Sequence, residues 1–250
     1  MLADQDEEVF DRYVGYFRRW LRPGSHVIDV GCGVGVSTRL LREAGFAAVG
    51  TDASAMFLPD EEGFFVADFT EPTDLRDGSF AAAGALNVLE HVDHPREFLE
   101  ELVRVVEPGG LVVLSSPNLT SPLVAIRILI DLALRRTPYL GLGRWQDALR
   151  LLAENVLRSV AAALGRDAFA PRKDTLGTGI VGHDVDAVYW SNAAEVRRHL
   201  ERLGCEVVHY QGEGRTPGSR VLARVLPSFA GQLAIVARVG RTSPPAPTRR

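Results

Sequence analysis

The chain has 250 residues, of which 46% are hydrophobic and 24% charged, with a formal net charge of −4. This supports one sizeable core, and the length suits one domain with an insertion better than two domains. The acidic balance, without any basic run, argues against nucleic acid and other polyphosphate partners. Two cysteines, Cys32 and Cys205, make no disulfide framework. No apolar h-region follows Met1, and no apolar run reaches about 18 residues, so we expect a cytoplasmic protein with no signal peptide and no spanning helix.

In chain order, Asp6–Leu21 places Val9, Phe10, Tyr13, Val14, Phe17, Trp20 and Leu21 at helical spacing, predicting an amphipathic helix. It packs on the core or closes over a bound ligand, with Tyr13 as the contact. Val27-Ile28-Asp29-Val30 then runs as an apolar strand into Gly31-Cys32-Gly33-Val34-Gly35, and a helix Ser37–Ala44 follows, stopped by Gly45. Glycine lets the backbone turn sharply and approach a ligand closely. The helix N-terminus behind it offers free N–H groups. Together they predict a nucleotide-binding corner at the carboxyl edge of a parallel sheet. The pattern is G-x-G-x-G, not the dinucleotide fingerprint G-x-G-x-x-G. Cys32 brings a side chain small enough to pack inside the loop.

Seventeen residues past Gly35, Val49-Gly50-Thr51-Asp52 ends a second strand in an acid suited to ribose hydroxyls, with Ala53 next. Phe65-Val66-Ala67-Asp68-Phe69 comes next, with Asp68 and Phe69 following the third strand. Phe80–Leu86 is a strand of small residues leading into the loop Asn87-Val88-Leu89-Glu90-His91-Val92. Pro95 starts a helix at its first turn, which halts at Glu107-Pro108-Gly109-Gly110 before the buried strand Leu111–Ser115.

Residues 119–187 interrupt the alternation. Ser121-Pro122 begins a helix through Arg136 that is apolar almost all round, with Arg127, Asp131 and Arg135 spaced to pair along one stripe. A second helix, Gln146–Leu164, places Leu149, Leu152, Ala153, Val156, Leu157, Val160, Ala161 and Leu164 on one face. The pair reads as a lid and acceptor pocket; packing on the core, a dimer contact, or a membrane-surface contact by the basic, apolar first helix are the alternatives. Asn192 and Glu195 are spaced as a capping box. Their helix runs through Leu203, and Glu206–Tyr210 and Leu233–Ala237 are the last strands. The tail from Gly240, rich in Pro and Arg, reads as disordered.

The stretch D-V-G-C-G-V-G resembles the first motif of class I S-adenosyl-L-methionine-dependent methyltransferases. The run L-E-H-V-x-x-P-x-x-F-L-x-E-L-x-R-V-x-x-P-G-G is similar to the middle of many small-molecule members of that class. The resemblance implies an α/β, Rossmann-like doubly wound sheet of about seven strands, closed by an antiparallel hairpin, with the helical insertion after the fifth strand. It divides the chain into an N-terminal helix (1–24), a cofactor-binding core (25–118), the insertion (119–187), the rest of the core (188–239) and the tail (240–250). It further implies S-adenosyl-L-methionine as cofactor, held by Tyr13, Asp29, Gly31, Cys32, Gly33, Gly35, Asp52, Ala53, Asp68, Phe69 and Asn87. In that scheme Asp68 meets the adenine and Phe69 covers one face of it.

Methylases of base or amide nitrogens often carry Asn/Asp-Pro-Pro-Tyr/Phe after the fourth strand. Here that place reads Asn87-Val88-Leu89-Glu90, which favours an oxygen or carbon acceptor on a small molecule: an apolar or lipid-linked natural product, or a sugar. A hydroxyl acceptor needs a base, and histidine suits that near neutral pH. His91 and His183 are the candidates, with a structural role as the alternative for each. His183 with Asp184 and Asp186 lacks a further ligand, so no metal site is expected. A nicotinamide-dependent oxidoreductase and a non-catalytic S-adenosylmethionine-binding module are the competing functional readings. The expected chain is a monomer or homodimer.

Overall fold

The computed structural model describes residues 7–138, 142–166, 169, 187–213, 221 and 230–241. The sequence candidates His183, Asp184 and Asp186 and tail residues 242–250 lie outside them. The order is α1 (Glu7–Trp20), β1 (His26–Val30), α2 (Val36–Glu43), β2 (Ala47–Asp52), β3 (Phe64–Val66), β4 (Phe80–Leu86), a 3₁₀ turn (Leu89–His91), α3 (Pro95–Val105), β5 (Val106–Pro117), α4 (Pro122–Ala133), α5 (Trp145–Ala163), α6 (Ala193–Arg202), β6 (Glu206–Glu213) and β7 (Gln232–Arg238).

The seven strands form one sheet in the order β3-β2-β1-β4-β5-β7-β6. β1 to β5 pair in parallel, and β7 runs antiparallel to both β5 and β6. This is the doubly wound, Rossmann-like sheet that the alternation of strands and helices implied. Strand side chains alternate between faces, so the sheet sorts its core into two layers. Leu111 and Val113 of β5 pack with Val14 and Phe17 of α1 and Leu41 of α2. Val112 and Leu114 face the other way, onto Phe98, Leu99 and Leu102 of α3 and Val196 and Leu200 of α6.

One boundary differs from expectation. The sequence predicts a halt at Glu107–Gly110 before the strand, yet β5 already begins at Val106. Val106 pairs with Phe80 and Leu111 with Ala82, so the four residues between bulge out of one continuous strand, with Gly109 at φ 88°. The third strand stops at Val66, so Asp68 and Phe69 follow it, as expected. The reading of Asn192 as an N-cap is met: its Oδ1 accepts the N–H groups of Ala194 at 2.9 Å and Glu195 at 3.2 Å. No described helix is long and apolar enough to cross a membrane.

Candidate cofactor corner and the base of the insertion

Asp29 sits in β1, with Gly50 of β2 on one side and Gly84 of β4 on the other. Gly84 has a specific purpose: a Cβ there would collide with the Tyr13 hydroxyl and, at 2.6 Å, with the Phe17 ring. The missing side chain lets Tyr13 reach from α1 over the sheet and donate to Asp29 Oδ1 at 2.8 Å. Ser37 Oγ and Thr38 Oγ1, from the first turn of α2, donate to Asp29 Oδ2 at 2.6 and 2.7 Å. Burial pushes the Asp29 carboxyl up, while the three hydroxyl donors oppose that rise. The Tyr13 hydroxyl is pushed well above its ordinary value, by burial first and then by the neighbouring carboxylate. One carboxylate thus ties α1, β1 and α2 together beneath the glycine loop.

Above it, Gly31, Gly33 and Gly35 all adopt positive φ, at 71°, 53° and 79°. L-residues with a side chain rarely take this region. The Gly31 and Cys32 N–H groups both donate to the Thr51 carbonyl, at 2.7 and 3.0 Å, which pins the loop to β2. A Cβ on Gly31 would strike Val88, and one on Gly35 would meet Phe64 at 2.7 Å; one on Gly33 would meet nothing within 4 Å. The outer glycines are therefore packed, and the middle one leaves free space beside its Cα where a ligand can approach. Asp52 closes the corner, accepting from Gly33 N at 3.1 Å and from Ser54 N at 3.0 Å. A carboxylate has about four acceptor positions, so these two bonds leave room for two ribose hydroxyls. Ala53 and Asp68 are exposed beside it, and Asp68 accepts from both the N–H and the hydroxyl of Thr70. The free space beside Gly33 and the spare capacity of Asp52 fit an adenosyl group.

Five expected contacts are engaged within the protein here. Tyr13 is fully buried and Asp29 is 1% exposed, so both support the loop from below instead of facing a ligand. Phe69 is in the core, edge-on to Phe98, and presents no free face for adenine. Cys32 is buried with its N–H already engaged; burial first, then Asp29, pushes its thiol up to about 12. Asn87 is half-buried at φ 52°, and its Oδ1 accepts from Gln232 Nε2 at 3.4 Å. Sequence reasoning passed over Gly84 and the inward turn of Ser37 and Thr38. The signal for the second was there: two hydroxyl residues directly after the loop, behind a strand carboxylate.

On the 3₁₀ turn after β4, the His91 side chain is 36% exposed, with Nε2 3.9 Å from Glu90 Oε1. Glu90 itself is fully buried. Its Oε2 accepts from Ser116 Oγ of β5 at 2.8 Å, and its carbonyl accepts from the N–H groups of Val188 and Tyr189 at 2.9 and 3.1 Å. The turn that carries His91 is therefore fastened to β5 and to the segment returning from the insertion. The insertion is knotted at its base by further buried polar groups. Ser191 Oγ donates to the Pro117 carbonyl, Asn192 Nδ2 donates to Thr120 Oγ1 at 2.8 Å, and Asn155 Nδ2 of α5 donates to the carbonyls of Leu119 and Ser121 at 3.2 and 3.0 Å.

Beyond that base, α4 and α5 pack through Val124, Ala125, Ile128, Ala148 and Leu151. The face of α5 picked out in the sequence points the other way: Leu149, Val156, Leu157, Val160 and Leu164 are exposed. Among the described residues no cluster of metal-ligating side chains occurs.

A family model described as a methyltransferase domain matches residues 2–210. The 2-methyl-6-phytyl-1,4-hydroquinone methyltransferase of Synechocystis sp. is 35% identical over 107 residues, 39% of this chain and 34% of that one. A ubiquinone biosynthesis O-methyltransferase of Azorhizobium caulinodans is 33% identical over 151 residues, 55% of this chain and 59% of that one. The chain thus spans between about a third and three fifths of these curated relatives. An S-adenosylmethionine-dependent methyltransferase from Mesorhizobium loti shares the fold, with a TM-score of 0.58 at 21% identity over 92% of this chain and 99% of that one.

Proposed function

The chain belongs to the methyltransferase-domain family of class I, S-adenosylmethionine-dependent enzymes, and from that premise we propose that it methylates an aromatic or similarly acidic hydroxyl of an apolar, lipid-linked small molecule. The observation that carries the reading is the corner itself: free space beside Gly33, next to an Asp52 carboxylate with acceptor positions to spare. The absence of a nitrogen-methylase motif at Asn87-Val88-Leu89-Glu90 and the names of two relatives, a hydroquinone methyltransferase and an O-methyltransferase of ubiquinone biosynthesis, support the acceptor class. Carbon of such a ring is the second acceptor atom.

When bound, S-adenosylmethionine supplies a methyl group on a sulfonium, which needs no further activation as a leaving group. Gly33 and Asp52 hold the adenosyl part. The rest of the work is positioning and exclusion of water, and the insertion 119–187 is the lid that provides it. An oxygen acceptor gives up a proton as its new bond to carbon forms. His91 takes that proton, held in place by the anchored Glu90 turn.

The test is methyl transfer to a panel of catechols, hydroquinones and prenylated quinols, read by mass spectrometry as gain of one methyl. His91→Asn should lower turnover about 10²–10⁴-fold, flatten the acidic limb of the pH profile, and leave S-adenosylhomocysteine affinity in place. An unchanged profile in His91→Asn, with the loss appearing in His183→Asn, moves the base to His183. Binding of S-adenosylhomocysteine without turnover on any acceptor marks a binding module instead, and binding of NAD alone an oxidoreductase.

A further inference from the structure

The outer faces of α4 and α5 are apolar and stand in solvent. On α5, Trp145, Leu149, Ala153, Val156, Leu157, Val160 and Leu164 recur at helical spacing within an arc of about 120°. Leu157 is 69% exposed and Leu164 73%, more than the wall of an enclosed pocket leaves open. On α4, Ile126, Ile130 and Leu134 form a shorter row. These rows lie opposite the side chains that pack the two helices together.

Charge separates this hairpin from the rest of the molecule. Residues 119–166 hold seven arginines against Asp131, Asp147 and Glu154, a net +4, so with −4 overall the remaining residues carry −8. Six of those arginines are exposed, at 127, 135, 136, 144, 150 and 166, whereas Glu154 is the one exposed acid of the three.

We propose that the α4–α5 hairpin docks on an anionic phospholipid surface. The apolar rows enter the acyl boundary, Trp145 sits at the headgroup level, and the arginines meet lipid phosphates, which suit their planar fork. A second copy of the chain is the poorer occupant. A two-fold contact through this face would set one +4 hairpin against another. Docking follows from this surface alone, whatever the acceptor.

The full-length chain is tested by co-sedimentation with vesicles of phosphatidylcholine alone and of phosphatidylcholine with one third phosphatidylglycerol. Binding to the anionic vesicles should be at least about tenfold tighter and should weaken with added salt. Trp145 emission should shift to the blue on binding, a change that Trp145→Phe abolishes. Leu157→Gln with Leu164→Gln alters two solvent-exposed side chains, so melting temperature and S-adenosylhomocysteine affinity should hold while vesicle binding falls about tenfold or more. Arg144→Gln with Arg150→Gln should reduce both binding and its salt dependence. Failure to co-sediment, equal binding to both vesicles, or wild-type binding by the leucine variant overturns the proposal. So does a lipid-free dimer that the leucine variant converts to monomer, which assigns the face to self-association.

Discussion

At the β1–α2 corner, three hydroxyls from two helices converge on one buried carboxylate, and the loop glycines Gly31, Gly33 and Gly35 all adopt positive φ. At the insertion, buried polar groups among the described residues gather at the base, around residues 117–121, 155 and 188–192, and the helices beyond pack through a few small and medium side chains. The corner resembles a fixed socket, whereas the hairpin is fastened at its base and leaves an apolar outer face in solvent. A cofactor of constant shape rewards preorganisation, and the corner supplies it.

The strongest challenge to that contrast is Asp29→Ala. It strands the Tyr13, Ser37 and Thr38 hydroxyls in the core, and each buried unsatisfied group costs about 1–3 kcal/mol. Urea denaturation should show a loss of about 3 kcal/mol or more, with weaker S-adenosylhomocysteine binding. An unchanged midpoint would mean that packing alone holds the corner.

Asp52→Ala should act on binding rather than on folding. Two charge-assisted bonds to ribose are worth roughly 1.5–3 kcal/mol each at most, so calorimetric titration should show affinity for S-adenosylhomocysteine falling at least about tenfold. Equal affinity removes Asp52 from the site.

Asn155→Ala tests whether the hairpin is separable from the socket. It removes the bonds to the Leu119 and Ser121 carbonyls and should cost about 1–2 kcal/mol. Hydrogen exchange should quicken in α4 and α5 while S-adenosylhomocysteine affinity stays within about twofold. Faster exchange in α2 as well would show the two regions to be coupled.

The smallest effect concerns acid. The native state holds the Asp29 proton more tightly than the unfolded chain does. Its contribution therefore favours folding below the ordinary carboxylate value of about 4 and is lost as pH rises through the native value. Glu101 behaves oppositely: burial disfavours its charge, but bonds from Arg104 and Thr73 outweigh that and hold its pKa below the ordinary value. Its contribution is present above about pH 4 and lost as pH falls through the native value. Urea midpoints against pH should shift in opposite senses for Asp29→Asn and Glu101→Gln, and shifts of the same sign would refute the burial argument for Asp29.

Local signals carried much of this molecule. Alternating strands and helices, a G-x-G-x-G loop behind an apolar strand and an acid closing the next strand announced the doubly wound sheet and its ligand corner, because glycine φ values and strand periodicity are properties of short segments. Packing decided the rest. The reach of Tyr13 to Asp29 depends on a missing Cβ at Gly84, some seventy residues away in sequence, and the burial of Phe69 depends on Phe98 arriving from α3. The apolar periodicity of α5 was legible, but not its direction: one face carries Leu149, Leu157 and Leu164, the other Ala148, Leu151 and Asn155. Only the tertiary structure, by offering Asn155 two carbonyls at the insertion's base, turned the second face inward and left the larger apolar one in solvent.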